Sequence, residues 1–234
     1  MRIRNLLLAI LFGIGMAGPA LGSIIPVSPV PGSDFNDLGG GLSPISGWPA
    51  ATCEMSNLGL KLRGEVINQV FIDTSESEDY YYFYQIANTG VDETWHMIEV
   101  LALSPFAEAG ESTSIGYLTA NEPSAFVSGS DHIIPAGATI NTDSGPTVSF
   151  NFPGFLSPIL PQQYSRVLFV KSSLPPADIM GYIINGATAE GSVVGPVPEP
   201  ASLCLLAVGG LALIRKNRRQ VVSSVVSGEG RYQG

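Results

Sequence analysis

The chain has 234 residues and a formal net charge of −9, and seven of its eleven basic residues lie before residue 23 or after Pro200. Between Ser23 and Pro200 only Lys61, Arg63, Arg166 and Lys171 stand against nineteen acidic residues, a balance that repels phosphate backbones and excludes a nucleic-acid partner. With 45 % apolar and 13 % charged residues, 27 glycines and 18 prolines, the composition fits one secreted β-rich domain, and with Cys53 and Cys204 as its only cysteines that domain has no internal disulfide.

The first element is a leader over 1–22. Arg2 and Arg4 form a positive n-region, Leu6 to Ala17 an apolar h-region, and Ala20-Leu21-Gly22 supplies the small residues that signal peptidase inspects. Cleavage is expected between Gly22 and Ser23, with a cut after Ala20 as the alternative. Twelve apolar residues are short for a retained span. Residues 23–49 follow, rich in Pro, Gly and Ser, and read as a mobile lead-in.

Residues 50–195 read as an all-β ectodomain, an antiparallel sandwich of jelly-roll or immunoglobulin-like type. Strands are expected at Glu65–Ile72, Tyr80–Ala87, Trp95–Leu103, Thr147–Phe152, Arg166–Val170 and Ile179–Ile184, where β-branched and aromatic runs alternate with turn residues. In Tyr80–Ala87 the residues Tyr80, Tyr82, Tyr84 and Ile86 share one face, and Tyr81, Phe83 and Gln85 the other. Aromatic side chains on both faces predict a central strand.

Four carboxylates, Asp73, Glu76, Glu78 and Asp79, fall within seven residues between two of these strands. They carry enough oxygen to help hold Ca²⁺. Their spacing is not that of an EF-hand and the turn glycine is missing, so a solvated acidic hairpin loop is the other reading. No further cofactor is expected. His96 and His132 are the only histidines. Asp131-His132 with a nearby serine would make a catalytic grouping conceivable, but the chain has no Gly-x-Ser-x-Gly elbow, His-Glu-x-x-His motif or cysteine pair. Trp48, Trp95 and the tyrosines are either core or a stacking surface for sugar rings.

At the C-terminal end, Pro196-Val197-Pro198-Glu199-Pro200-Ala201-Ser202 precedes an apolar run from Leu203 to Ile214 and the cluster Arg215-Lys216-Asn217-Arg218-Arg219. Prolines 196, 198 and 200 fix φ and lack amide donors, so the segment is expected to stay extended and outside any sheet. From Ala201 to Ile214 a helix would span about 21 Å, short of a hydrocarbon core of about 30 Å. Arg215, Lys216, Arg218 and Arg219 would hold its end on the cytoplasmic side, leaving 220–234 as a polar cytoplasmic tail.

The segment Val197, Pro198, Glu199, Pro200, Ala201, Ser202, its hydrophobic stretch and its basic stop resemble the PEP-CTERM sorting signal of Gram-negative bacteria, here over 196–219. The resemblance implies recognition by an exosortase at the inner membrane, then surface display or release into an extracellular matrix. Signal peptidase and an exosortase-like enzyme are the implied partners, with extracellular polysaccharide as a candidate ligand. A non-enzymatic, structural or polysaccharide-associated role is the leading reading; a secreted hydrolase acting on matrix glycans or esters is the alternative.

Overall fold

Within the described strands, proline falls in a terminal strand or, at Pro176, on the first residue of a strand. The computed structural model describes residues 24–38, 41–57, 62–75, 79–90, 97–106, 114–142, 146–152 and 158–197. The leader 1–22, with Gly22 and Ser23 at its cleavage site, and the apolar helix expected after Ser202 lie outside them. So does the second of the two units into which the chain divides, which begins at Pro198.

The described residues form strands β1 (Ile24–Val27), β2 (Val30–Asp34), β3 (Leu42–Pro44), β4 (Ala51–Asn57), β5 (Leu62–Asp73), β6 (Tyr80–Ala87), β7 (Val100–Ser104), β8 (Ser114–Ala120), β9 (Gly137–Asn141), β10 (Thr147–Asn151), β11 (Leu168–Ser172), β12 (Pro176–Ile184) and β13 (Thr188–Pro196). One sheet has the order β1-β9-β10-β7-β12-β13 and the other β2-β8-β11-β6-β5-β3, with β4 also on β5. The fold is all-β, as expected. Pairing is antiparallel except between β2 and β8, which run parallel.

Pro26 in β1, Pro31 in β2, Pro44 in β3 and Pro196 in β13 all occupy terminal strands of their sheets, where a missing amide breaks no ladder on the open side. The described part of 23–49, expected from its Pro, Gly and Ser content as a mobile lead-in, supplies β1, β2 and β3 together with a 3-10 turn at Phe35–Asp37 capped by Asp34. One expectation is corrected: Pro196 does not stay outside the sheet, since it closes β13 opposite Pro176.

Four expected strands lie close to where periodicity put them, as β5, β6, β10 and β12. Among the described residues of the expected Trp95–Leu103 the strand runs from Val100, and the expected Arg166–Val170 is shifted to Leu168–Ser172. Arg166 is instead drawn into side-chain and main-chain bonds with the segment across from it.

Strand β6 lies between β11 and β5, a central position. Its inner residues Tyr82, Tyr84 and Ile86 join Val66 and Val70 of β5 and Leu101, Leu103, Ile140, Phe150, Ile183 and Val193 of the other sheet in one core. Its outer residues Tyr81 and Phe83 lie in a second cluster with Phe71, Leu118, Phe126, Val167 and Phe169, backed by Phe35 and Leu38. The β6 sheet is thus covered on both faces. At Gly191 a Cβ would lie 2.2 Å from the Cys53 sulfur, so a side chain there would force β4 and β13 apart.

Candidate functional site

The sequence points to three places, and each can be followed from its backbone outward. At the C-terminal end of the body, β12 and β13 pair in an unbroken antiparallel register from Ile184 opposite Thr188 to Pro176 opposite Pro196. Burial along β13 rises toward its end: Thr188, Glu190 and Ser192 are exposed, whereas Val193, Val194, Gly195 and Pro196 are all buried. The carbonyl of Val194 accepts a 2.5 Å hydrogen bond from the buried hydroxyl of Tyr84, tying this strand to the opposite sheet. Val197 continues the pairing. Its amide donates to the Pro175 carbonyl at 3.2 Å and its side chain packs on the main core. Pro198, Glu199, Pro200, Ala201, Ser202, Arg215, Lys216, Arg218 and Arg219 lie outside the described residues.

The acidic hairpin joins β5 to β6. Asp73 accepts bonds from the Ser75 hydroxyl at 2.6 Å and the Ser75 amide at 3.0 Å, and these hold its carboxyl below the ordinary value. Asp79 meets the Lys171 ammonium at 2.9 Å, which raises the lysine above its ordinary value. Lys171 also lies over the Tyr81 ring at 5.4 Å. Both described carboxylates of the proposed Ca²⁺ set therefore serve local bonds, one shaping the turn and one pairing a cation. Glu76 and Glu78 lie outside the described residues, and no metal-binding group of three or more ligating side chains occurs among those described.

His132 sits in the segment 121–136, which lies against the outer side of the β6 sheet. Its ring is tilted over Tyr164 at 5.6 Å, and Nδ1 is 3.4 Å from Nε2 of Gln85. Gln85 also bonds to Ser165, whose buried hydroxyl accepts from the Ile86 amide at 2.9 Å and donates to the Arg166 carbonyl at 2.8 Å. That proton is committed to the backbone and not to an imidazole. Asp131 is exposed beside it, and His96 lies outside the described residues.

Gln85 was expected on the outer face of β6 but without a role, and it proves to be the clasp of this region. Its Nε2 donates to the Val127 carbonyl at 2.8 Å and the Ser165 carbonyl at 3.2 Å, while its Oε1 accepts from the Val127 amide at 2.9 Å. Arg166 adds an ion pair to Glu122 at 3.5 Å and a bond to the Ser130 carbonyl at 3.1 Å. Asn88 fastens the other side, donating to the Ile159 carbonyl at 2.8 Å. A polar side chain among seven aromatic or aliphatic neighbours in β6 was the available signal.

Burial lowers the imidazole of His132 against the opposing pull of Glu122 and Asp131, with Arg166 reinforcing the decrease. Because the folded value is depressed, the neutral ring contributes stability that is fully present above about pH 6.5 and is lost as pH falls through the folded value. The wild-type melting midpoint should therefore drop more between about pH 7.5 and 5 than that of His132→Gln. Equal drops would remove His132 from the acid response.

The aromatic residues divide cleanly. Tyr82 and Tyr84 are fully buried, with hydroxyls donating to the Leu174 and Val194 carbonyls, and burial pushes both phenols well above the ordinary range. Tyr81 donates to the Leu38 carbonyl at 2.7 Å. Trp48 packs on the main core, and Trp95 lies outside the described residues. Cys53 is half-buried on β4, and its burial raises the thiol, which disfavours the thiolate needed for reactivity.

Comparison with known proteins bears on the first of the three places. A family model of the PEP-CTERM protein-sorting motif matches residues 196–219, so the chain carries this signal. The motif supports export and exosortase-dependent sorting, with a membrane step and an exosortase-type processing partner. No curated protein and no solved structure matches the chain. Among the described residues no helix is long and apolar enough to cross a membrane, and the run Leu203 to Ile214 is not among them.

Proposed function

We propose that this protein is an exported β-sandwich that an exosortase-type enzyme processes at its C-terminal label, for display at the cell surface or release into an extracellular matrix. The observation that carries this reading is the sorting motif at 196–219, which begins at the last residue of the last strand of the folded body. The body acts there as a structural or polysaccharide-associated component. Support for that role over hydrolysis comes from how its reactive groups are used: the Ser165 hydroxyl, Asp73, Asp79 and the β6 tyrosines are all spent on holding the fold. A jelly-roll variant is the sandwich type favoured, because the chain changes sheet five times between β6 and β12.

The test is the intact mass of the mature protein, made in hosts with and without an exosortase. The expected mass in the first host lacks the leader before Ser23 and everything beyond about Pro200. Retention of the C-terminal segment in both hosts would sink the processing reading and leave an unprocessed tail.

A further inference from the structure

The sorting motif and the folded body overlap. Of the matched residues 196–219, the first two belong to the sandwich: Pro196 is buried at the end of β13, and Val197 is bonded to the Pro175 carbonyl and packed on the core. This end of β13 is also its most firmly held part. Val193 to Pro196 are buried without interruption, Val194 is bonded by Tyr84 from the other sheet, and the Cα of Gly195 fits so closely that a Cβ would lie 2.2 Å from Ile179 Cδ1.

A peptide-processing cleft binds an extended segment on both sides of the bond it attacks, through main-chain groups that must be unpaired. Upstream of Pro198 the Val197 amide is already bonded to the Pro175 carbonyl, and Pro196 is buried in the sheet opposite Pro176. We propose that the closing contacts of the β12–β13 hairpin withhold the first two residues of the sorting motif, so that release of Pro196 and Val197 from the sheet sets the rate of processing. This regulatory role rests on the processing reading above. The competent form is then a minor population in which the last pair has opened, and the apparent rate is scaled by its fraction. Fraying at a strand end is the least costly opening a sheet allows.

The experiment inserts Gly-Ser-Gly-Ser between Val197 and Pro198 in the full-length chain and follows conversion by pulse labelling in a host with an exosortase. The insert lengthens the chain after Val197 and leaves the described contacts of the body in place, which an unchanged melting midpoint verifies. Conversion is expected to accelerate roughly tenfold, the size of effect when loss of one hydrogen bond and one half-buried valine no longer precedes reaction. Val197→Gly, which loosens the closing contact without lengthening the chain, should accelerate it by a smaller factor. Conversion of the wild type and the insertion variant at one rate overturns the inference alone. Slower conversion of the insertion variant overturns it too, and shows that the enzyme reads the body as part of its substrate. If neither chain is converted while a second substrate of the same enzyme is, the processing reading falls and the inference with it.

Discussion

Phe83→Ala is expected to cost about 3–5 kcal/mol of unfolding free energy, as large as any core truncation in this domain. Phe83 faces away from the sandwich interior, yet it is fully buried. Its ring lies 5.4 Å from Phe71, 5.6 Å from Phe35, 6.2 Å from Phe169 and 6.4 Å from Phe126, with edge-on or tilted packing that aromatic quadrupoles favour. Those partners come from β5, the 3-10 turn, β11 and the segment 121–136, so one deletion loosens four pieces of chain. Urea unfolding of the variant measures the loss. A cost below about 1 kcal/mol would mean that the outer layer contributes little and that the main core alone sustains the fold.

Strand β6 was legible because each of its two faces carries its own aromatic set, and only a strand covered on both sides can bury both. The covering layer was not legible. Phe35 and Leu38 sit in a stretch whose prolines and glycines signal a loop, and Phe126 stands alone between turn residues. Their burial depends on Gln85 gripping Val127, on Arg166 reaching Glu122 and Ser130, and on Tyr81 bonding Leu38. These are contacts between distant segments, with no local period to announce them.

The missed strands have a similar physical origin. In β4 the sequence Ala-Thr-Cys-Glu-Met-Ser-Asn buries only Met55 fully, because this strand lies at a sheet margin and needs little apolar surface. In β13 glycine replaces bulk where the chain passes closest to its neighbours, at Gly191 against Cys53 and Gly195 against Ile179. Composition there resembles a loop although the backbone is paired throughout. The C-terminal label was legible for the opposite reason: its prolines, acid, apolar run and basic stop are read in linear order and need no fold. What the sequence could not reveal is that the fold reaches into the label's first two residues.

Replacing Pro198, Glu199 and Pro200 together with alanine is expected to lower processing about a hundredfold or more, each lost feature being worth up to about a factor of ten when the three act independently. Proline fixes φ and lacks an amide donor, which disfavours helix at both positions. Alanine, the best helix former, would let any helix begun in the apolar run from Leu203 extend back through the motif, consuming the main-chain groups a cleft must grip. Loss of Glu199 removes the one charge between Val197 and Arg215, and with it the feature that keeps this segment out of the apolar phase. All three residues follow Val197, the last described residue of the body, and the melting midpoint is expected not to move. Pro196 separates the two roles, since it falls inside the matched motif yet is buried opposite Pro176 in the sheet. A processing defect with unchanged melting therefore assigns Pro198 to Pro200 to the enzyme. A lowered midpoint in the same variant would instead extend the folded body beyond Val197 and move the boundary between body and label.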